Sequence, residues 1–172
     1  MLPQYRGPLC AITRGLTLAV IAAAWLLART ASAEEKEPVA VLELGGAGAW
    51  TVPGGYSFGP TAAVEFAPIK SYLVIEAGIT PFFDSTGHPD WDFDLLFRRP
   101  FDLSKTVEFE PGIGPSLSSS GQVGAVASFE FMIWPWQERR YGWVVDPSYG
   151  VSFSPGHQQS FGLAIGLLYG FQ

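Results

Sequence analysis

The chain has little cysteine and few basic residues, and after its first 33 residues it has no long apolar run. Cys10 is the only cysteine, and it precedes the apolar segment near the N terminus. The exported part would therefore hold no disulfide, no thiol nucleophile and no cysteine metal site. Ten Lys and Arg stand against 16 Asp and Glu. Such an acidic chain repels phosphate, which excludes nucleic acid as a partner.

The first 33 residues are typical of an export signal. Arg6 and Arg14 form a positive region, Leu16–Ala28 forms an apolar core, and Ala31–Ala33 (Ala-Ser-Ala) supplies a small-residue cleavage site. The core is shorter than the roughly 20 residues of a membrane-spanning helix; a retained anchor is the alternative. Removal takes three arginines and no acid, which leaves seven basic against 16 acidic residues, a net charge of −9. We expect residues 34–38 to be a disordered lead-in and 39–172 to be one folded domain.

The remaining chain alternates apolar and polar residues with a period of two, which indicates β-strands. Gly, Pro, Ser and Asp at the breaks supply turns. The predicted strands are roughly Val39–Trp50, Tyr56–Ala67, Tyr72–Phe82, Trp91–Phe97, Thr106–Ser118, Gln122–Trp134, Tyr141–Phe153 and Gln159–Phe171. Lengths near ten residues match tilted strands that cross a bilayer.

The two faces of these strands differ in side-chain size and polarity. In the last strand Phe161, Leu163 and Ile165 alternate with Gly162 and Ala164. A soluble barrel or sandwich also alternates, but its polar face should carry Lys, Thr and Gln. Small residues instead suit the crowded interior of a narrow barrel. The pattern predicts an all-β fold, an eight-stranded antiparallel up-and-down transmembrane β-barrel with its apolar face toward lipid.

Basic residues and prolines occupy particular places in this pattern. The connections at 68–71, 98–105 and 138–140 hold every basic residue of the exported chain except Lys36. We assign them to the periplasmic end and the other connections to the outer end. Four prolines fall inside predicted strands: Pro60, Pro111, Pro115 and Pro147. A closed barrel has no edge to hide a missing N–H. We therefore expect these prolines at bulges or beyond the membrane band, or else some strands to be shorter than these ranges.

Carboxylates on the inward face form the strongest candidate site. They are Glu43, Glu65, Glu76, Asp94, Glu108, Glu110, Glu130 and Asp146, with Arg98 and Arg139 as basic partners. Unpaired charges in a lumen are costly, so we predict a salt-bridge network that fills it. The alternative is a narrow path that favours cations, because rings of carboxylates select them. A bound divalent cation stays open, but no ligand-spacing motif supports one, and we predict no metal and no cofactor.

Hydrolytic chemistry has few candidate residues. His157 lies near Ser160, and His88 lies near Asp90 and Asp92. Outer-membrane lipid A deacylases use a His–Ser pair, but their His-x-Ser-Asn pattern differs from His-Gln-Gln-Ser here. The alternation also sends His157 and Ser160 to opposite faces. We interpret His157 as a loop residue and predict that the protein is not an enzyme.

Aromatic residues collect toward both ends of the strands. Two such belts are typical of the two membrane–water interfaces, and a ligand platform is the alternative. The predicted interface aromatics are Trp50, Tyr72, Trp91, Trp134, Trp143, Tyr169 and Phe171.

The signal, the alternating strands and the last strand ending Tyr169-Gly170-Phe171 resemble small eight-stranded bacterial outer-membrane β-barrel proteins. The terminal aromatic is similar to the signal read by the barrel-assembly machinery, although Gln172 follows it here. The stretch between Phe129 and Leu163 is similar to uncharacterised proteobacterial barrel proteins. The resemblance implies an outer-membrane location, contact with lipid and lipopolysaccharide, insertion by the assembly machinery and a monomeric state. It implies no activity.

The predicted role is therefore structural or interactive, with a lumen too full for a general pore. The alternatives are a narrow cation channel, a lipid-modifying enzyme, and a soluble periplasmic barrel that holds an apolar ligand.

Overall fold

The computed structural model describes residues 38–83, 87–154 and 157–172, so the predicted signal (1–33) and most of the lead-in lie outside the described residues. The described chain is built from strands. They are β1 (Ala40–Val52), β2 (Tyr56–Ile69), β3 (Leu73–Phe83), β4 (Pro89–Arg98), β5 (Phe101–Asp102), β6 (Val107–Ser118), β7 (Val123–Ile133), β8 (Tyr141–Ser152) and β9 (Gln159–Phe171). Within these ranges we find no helix with the length and apolarity to cross a membrane.

The strands close into one antiparallel barrel. Neighbours in sequence pair with each other except β4 and β5, which both pair with β6, and β1 pairs with β9. The short β5 continues β4 along β6, because Arg98 pairs with Gly112 and Phe101 pairs with Phe109 in one register. Pro100 between them has no N–H to donate, which explains the interruption. The barrel thus has eight strands. This confirms the predicted fold class. The predicted strand ends lie within two residues of the ends of β1–β4 and β6–β9, but β5, which continues β4, falls in a segment predicted as a connection.

Large apolar side chains cover the outer wall of the barrel. Ile113, Ile165 and Leu167 are 63%, 55% and 61% exposed. Other exposed apolar side chains on the long strands include Leu44, Phe58, Val64, Phe66, Phe93, Leu95, Phe97, Leu117, Phe129, Phe161 and Leu163. A continuous apolar surface of this extent marks an interaction with another apolar phase.

The inside holds the buried charges and a small apolar cluster. This cluster consists of Val41, Met132, Trp134, Val144 and Leu168. The prediction that Trp134 lies in an interface belt is wrong, since its side chain is 1% exposed and packs inside. The physical reason is the strand alternation: Ile133 points outward, so the next side chain points inward. The abundance of aromatic residues favoured an interface belt for Trp134, whereas the period-two pattern indicated an inward position.

The strand prolines interrupt ladders without shifting their register. Pro60 falls where β2–β3 pairing skips from Phe58 to Ala62, and Pro115 falls where β4–β6 pairing skips from Ile113 to Ser116. Pro147 lies in a similar gap of the β7–β8 ladder. The register is the same on both sides of each gap, so none of these three prolines lies at a bulge, which was one of the alternatives predicted for them. The irregularity of the β2–β3 ladder lies instead between Phe66 and Ile69.

Two of these gaps require a glycine beside the proline. A Cβ added to Gly114 would lie 1.8 Å from the carbonyl oxygen of Leu95, and one added to Gly59 would lie 1.8 Å from the carbonyl oxygen of Pro81. Because the proline supplies no N–H, the facing carbonyl approaches the preceding residue, and only glycine leaves room for it.

The two ends of the barrel differ in charge. We call the end with the connections after β1, β3, β6 and β8 the mouth, and the opposite end the basic end. Every Lys and Arg that the structure describes lies in or beside the connections at the basic end: Lys70, Arg98, Arg99, Lys105, Arg139 and Arg140. Of these, Arg98 ends β4 and its side chain is buried in the lumen. At the mouth Gly121, with a φ of 84°, closes the turn after β6 by donating its N–H to Ser118.

Candidate functional site

The strand register brings carboxylates from six strands to one level of the lumen. Glu65 on β2 pairs directly with Glu76 on β3, and Glu110 on β6 pairs directly with Glu130 on β7. Like charges directly opposite each other in a ladder repel. The site residues at this level are Glu43, Glu65, Glu76, Arg98, Glu110, Glu130 and Asp146, and we call them the Arg98 cluster. All are buried except Asp146, which is half-buried.

Arg98 is the centre of this cluster and is 1% exposed. Every nitrogen of its guanidinium group has an acceptor. Nε donates to Glu76, Nη1 donates to the Glu110 carbonyl (3.1 Å) and to Ser128 Oγ (2.8 Å), and Nη2 donates to Asp146 (3.3 Å). Nη2 also forms an ion pair with Glu130 Oε2 at 2.9 Å, and Glu65 Oε1 lies 3.8 Å from Nε. One guanidinium group therefore ties β4 to five other strands, β2, β3, β6, β7 and β8.

Ser128 is a site residue that sequence reasoning did not single out. Its side chain is completely buried, accepts from Arg98 and donates to Asp146 Oδ1 at 2.5 Å. The alternation places Ser128 on the inward face, but only the register shows that it lies opposite Gly112 and Ser148 at the level of Arg98. Its hydroxyl group links the cluster's arginine to one of its acids.

A smaller ion-pair group lies at the basic end. Arg139 is 4% exposed and contacts Glu108 at 3.0 Å and Asp102 at 2.9 Å. Of the eight predicted lumen acids, Glu108 therefore pairs with Arg139 and is not part of the Arg98 cluster. Asp94 lies inward and half-buried, nearer the mouth, and the described residues give its Oδ1 no hydrogen-bond partner.

Three cavities follow one another along the lumen of the described part of the barrel. The mouth encloses about 720 Å³, with His88, Asp90 and Gln158 among its lining residues. A middle cavity of about 120 Å³ shares the lining residue Asp92 with the mouth and reaches Glu43 and Glu76. An inner cavity of about 70 Å³ at the basic end is lined by Glu65, Glu110, Trp134 and Arg139. The middle and inner cavities share no lining residue, so the Arg98 cluster and the apolar cluster separate them.

A second polar group lies at the rim of the mouth. The carboxylate of Asp90 accepts hydrogen bonds from the hydroxyl groups of Ser118, Ser119 and Ser120 at 2.8–3.1 Å. It also accepts from the backbone N–H of Ser120 at 3.2 Å. These bonds tie the turn after β6 to the start of β4, so the polar rim is an ordered structure.

The other predicted interface aromatics are at least partly exposed. Trp50, Tyr72, Trp91, Trp143 and Phe171 are between 37% and 58% exposed, and Tyr169 is half-buried. At the basic end the guanidinium groups of Arg99 and Arg140 lie over the rings of Tyr72 and Tyr169, at 5.2 and 5.8 Å. The Tyr169 hydroxyl accepts a hydrogen bond from Arg140 at 3.4 Å, and it raises the pKa of this exposed arginine.

His157 and Ser160 lie in different surroundings. His157 is exposed in the connection after β8, with a φ of 41°, whereas Ser160 lies in β9 and lines the mouth and middle cavities. No hydrogen bond joins these two side chains within the described part of the chain. His88 is also exposed, at the lining of the mouth.

Comparisons with known proteins identify the fold. No protein-family model matches the chain, and no curated protein matches it by sequence. Among solved structures, Neisserial surface protein A is similar at 14% identity with a TM-score of 0.60, covering 77% of this chain and 96% of that one. Ail, the attachment invasion locus protein of Yersinia pestis, is similar at 13% identity with a TM-score of 0.54, covering 79% and 100%. A de novo designed transmembrane β-barrel is similar at 13% identity with a TM-score of 0.55, and the match covers 79% of this chain and 98% of the designed one. At these identities the likeness shows a shared barrel fold.

Proposed function

We propose that the chain is a bacterial outer-membrane β-barrel protein with a structural or interaction role, exported by its N-terminal signal. The observation that carries this proposal is the inversion of polarity: Phe, Leu and Ile cover the outside while the carboxylates are buried around Arg98. In water this arrangement would expose a large apolar wall. In a bilayer, the closed barrel leaves no free strand edge, and hydrocarbon covers the wall.

Cell fractionation with gel electrophoresis tests this location. We expect the protein in the outer-membrane fraction, with a mobility that changes when the sample is heated, because folded barrels resist the detergent. Recovery in the soluble periplasm, with no heat-dependent shift, would contradict the proposal and favour a soluble barrel.

The lumen supports a non-conducting role better than a channel. The cavities that reach the Arg98 cluster from either side share no lining residue. Moreover, the plane between them is filled by Arg98, Met132 and Leu168, each at most 2% exposed. We expect no measurable conductance in planar bilayers. Steady cation-selective current from the unmodified protein would favour the channel instead.

The interaction role belongs to the mouth. Its described residues hold acids, serines and His88 but no Lys or Arg, and Asp90 with its serine donors keeps part of the rim ordered. The partners we propose are outer-membrane lipid and lipopolysaccharide around the wall, and the barrel-assembly machinery during insertion, with the barrel as a monomer. Crosslinking from residues of the rim in intact cells tests for a protein partner. If only a species of monomer size is recovered, the barrel has no stable protein partner and contacts lipid alone.

A further inference from the structure

The Arg98 cluster contains more negative charge than its arginine neutralises. Six carboxylates face one guanidinium group at this level, which leaves a formal charge of −5 when all are ionised. Four of them, Glu43, Glu65, Glu76 and Glu130, each offer an oxygen, and these four oxygens lie within 4.8 Å of one another. Each of the four residues is at least nine-tenths buried. Water therefore screens this charge poorly.

Glu43 gives an independent sign that this cluster binds a ligand. It is 8% exposed, and its Oε1 atom has no hydrogen-bond partner among the described residues. Arg98 cannot supply one, because all three of its guanidinium nitrogens already contact Glu76, Glu110, Ser128, Glu130 and Asp146. Oε1 of Glu65 and of Glu130 likewise lack a hydrogen bond within the described ranges. Buried polar atoms normally have partners, so these oxygens point to a positive ligand.

The size of the oxygen cluster selects among cations. Calcium binds oxygen at about 2.3–2.6 Å, so two oxygens on opposite sides of the ion are about 4.6–5.2 Å apart. Magnesium requires about 2.0–2.1 Å and a regular octahedron, which places opposite oxygens closer than about 4.2 Å. The spread of up to 4.8 Å fits calcium. Four carboxylates, some bidentate, can supply most of its six to eight ligands.

The lumen also offers a path to these oxygens. The middle cavity reaches Glu43 and Glu76 and shares Asp92 with the mouth, and Asp94 also lines it. A cation entering from the mouth would pass acids throughout. On the opposite side the apolar cluster and Arg139 face the basic end.

We propose that Glu43, Glu65, Glu76 and Glu130 bind one calcium ion inside the barrel, reached from the mouth. The ion would neutralise part of the charge that Arg98 leaves, and it would connect β1, β2, β3 and β7. The site does not depend on the role proposed above, because it is built from lumen residues alone.

Calcium titration of the purified protein in detergent, after removal of metals with EDTA, tests the site. We expect saturable binding of one Ca²⁺ by calorimetry, a rise in Tm with Ca²⁺, and a weaker response to Mg²⁺. Glu43→Gln keeps the shape of the side chain and removes a ligand, so binding should weaken by about tenfold or more. The matched control is Glu138→Gln, the same substitution at an exposed acid of the basic end that lines none of these cavities, and this variant should bind normally.

Several results would overturn the proposal. One is an unmodified protein whose Tm and calorimetric signal do not respond to Ca²⁺. A second is equal Ca²⁺ affinity of E43Q and the unmodified protein, which would mean that the ion binds at another site. A third is stabilisation by acid with no effect of Ca²⁺, which would mean that protons neutralise the carboxylates. If E43Q does not fold, the comparison of Ca²⁺ with Mg²⁺ on the unmodified protein decides.

Discussion

Replacing Arg98 with methionine should destabilise the barrel strongly. Arg98 is 1% exposed and contacts carboxylates on Glu65, Glu76, Glu130 and Asp146. Methionine keeps most of the volume and removes the charge, so the main effect is several acids left without their shared partner. Removing one member of a buried ion pair costs about 3–5 kcal/mol, and we expect a free energy of unfolding lower by this amount.

Urea unfolding in lipid vesicles, followed by tryptophan fluorescence at neutral pH with EDTA, measures this loss. The matched control is Arg99→Met, since Arg99 is exposed and its guanidinium group lies only over the rings of Tyr72 and Phe101. An exposed cation–π contact contributes about 0.5–1 kcal/mol. If R98M and R99M lose equal stability, the cluster does not stabilise the barrel and the reasoning fails. Adding Glu76→Gln to R98M should restore part of the loss, because it removes one unpaired acid.

The remaining predictions concern close packing, the outer wall and the apolar cluster. Gly114→Ala should destabilise or block folding because its Cβ would meet the Leu95 carbonyl, whereas Gly55→Ala, with open space around it, should be neutral by the same urea assay. Ile165→Lys, near the middle of β9, should cost about 2–4 kcal/mol in vesicles, and Phe153→Lys at the mouth about 0–1 kcal/mol; equal costs would contradict a membrane-spanning wall. Trp143→Phe should reduce fluorescence quenching by brominated lipid, while Trp134→Phe should not, because Trp134 is buried inside.

The alternation of side chains could be predicted from the sequence because the pleat of a strand fixes it. Glu43, Glu65, Glu76 and Arg98 lie on the inward side of that pattern, and the structure places their side chains inside. The strand ends could be predicted because Gly, Pro and Ser mark the turns. Trp134 is the exception. The many aromatic residues near the strand ends predict that it lies in an interface belt, but the alternation places its side chain inside the barrel.

The meeting of the site residues could not be predicted, because it depends on register. Glu65 and Glu76 become neighbours only through the length of the β2–β3 turn and the irregularity between Phe66 and Ile69. A slip of one residue would send every side chain of a strand to the other face. For the same reason the sequence did not single out Ser128, an ordinary inward serine until the register places it beside Arg98.

Spin labels along β9 test the central claim most directly. Residues 34–172 contain no cysteine, so a single cysteine introduced there marks one position among these residues. Labels at Leu163, Ile165 and Leu167 should be accessible to oxygen dissolved in lipid, whereas a label at Ala164 should be shielded from it. If oxygen accessibility alternates in this way along β9, lipid covers the apolar outer wall of the barrel. Strong accessibility of the Ile165 label to a water-soluble nickel complex would contradict it.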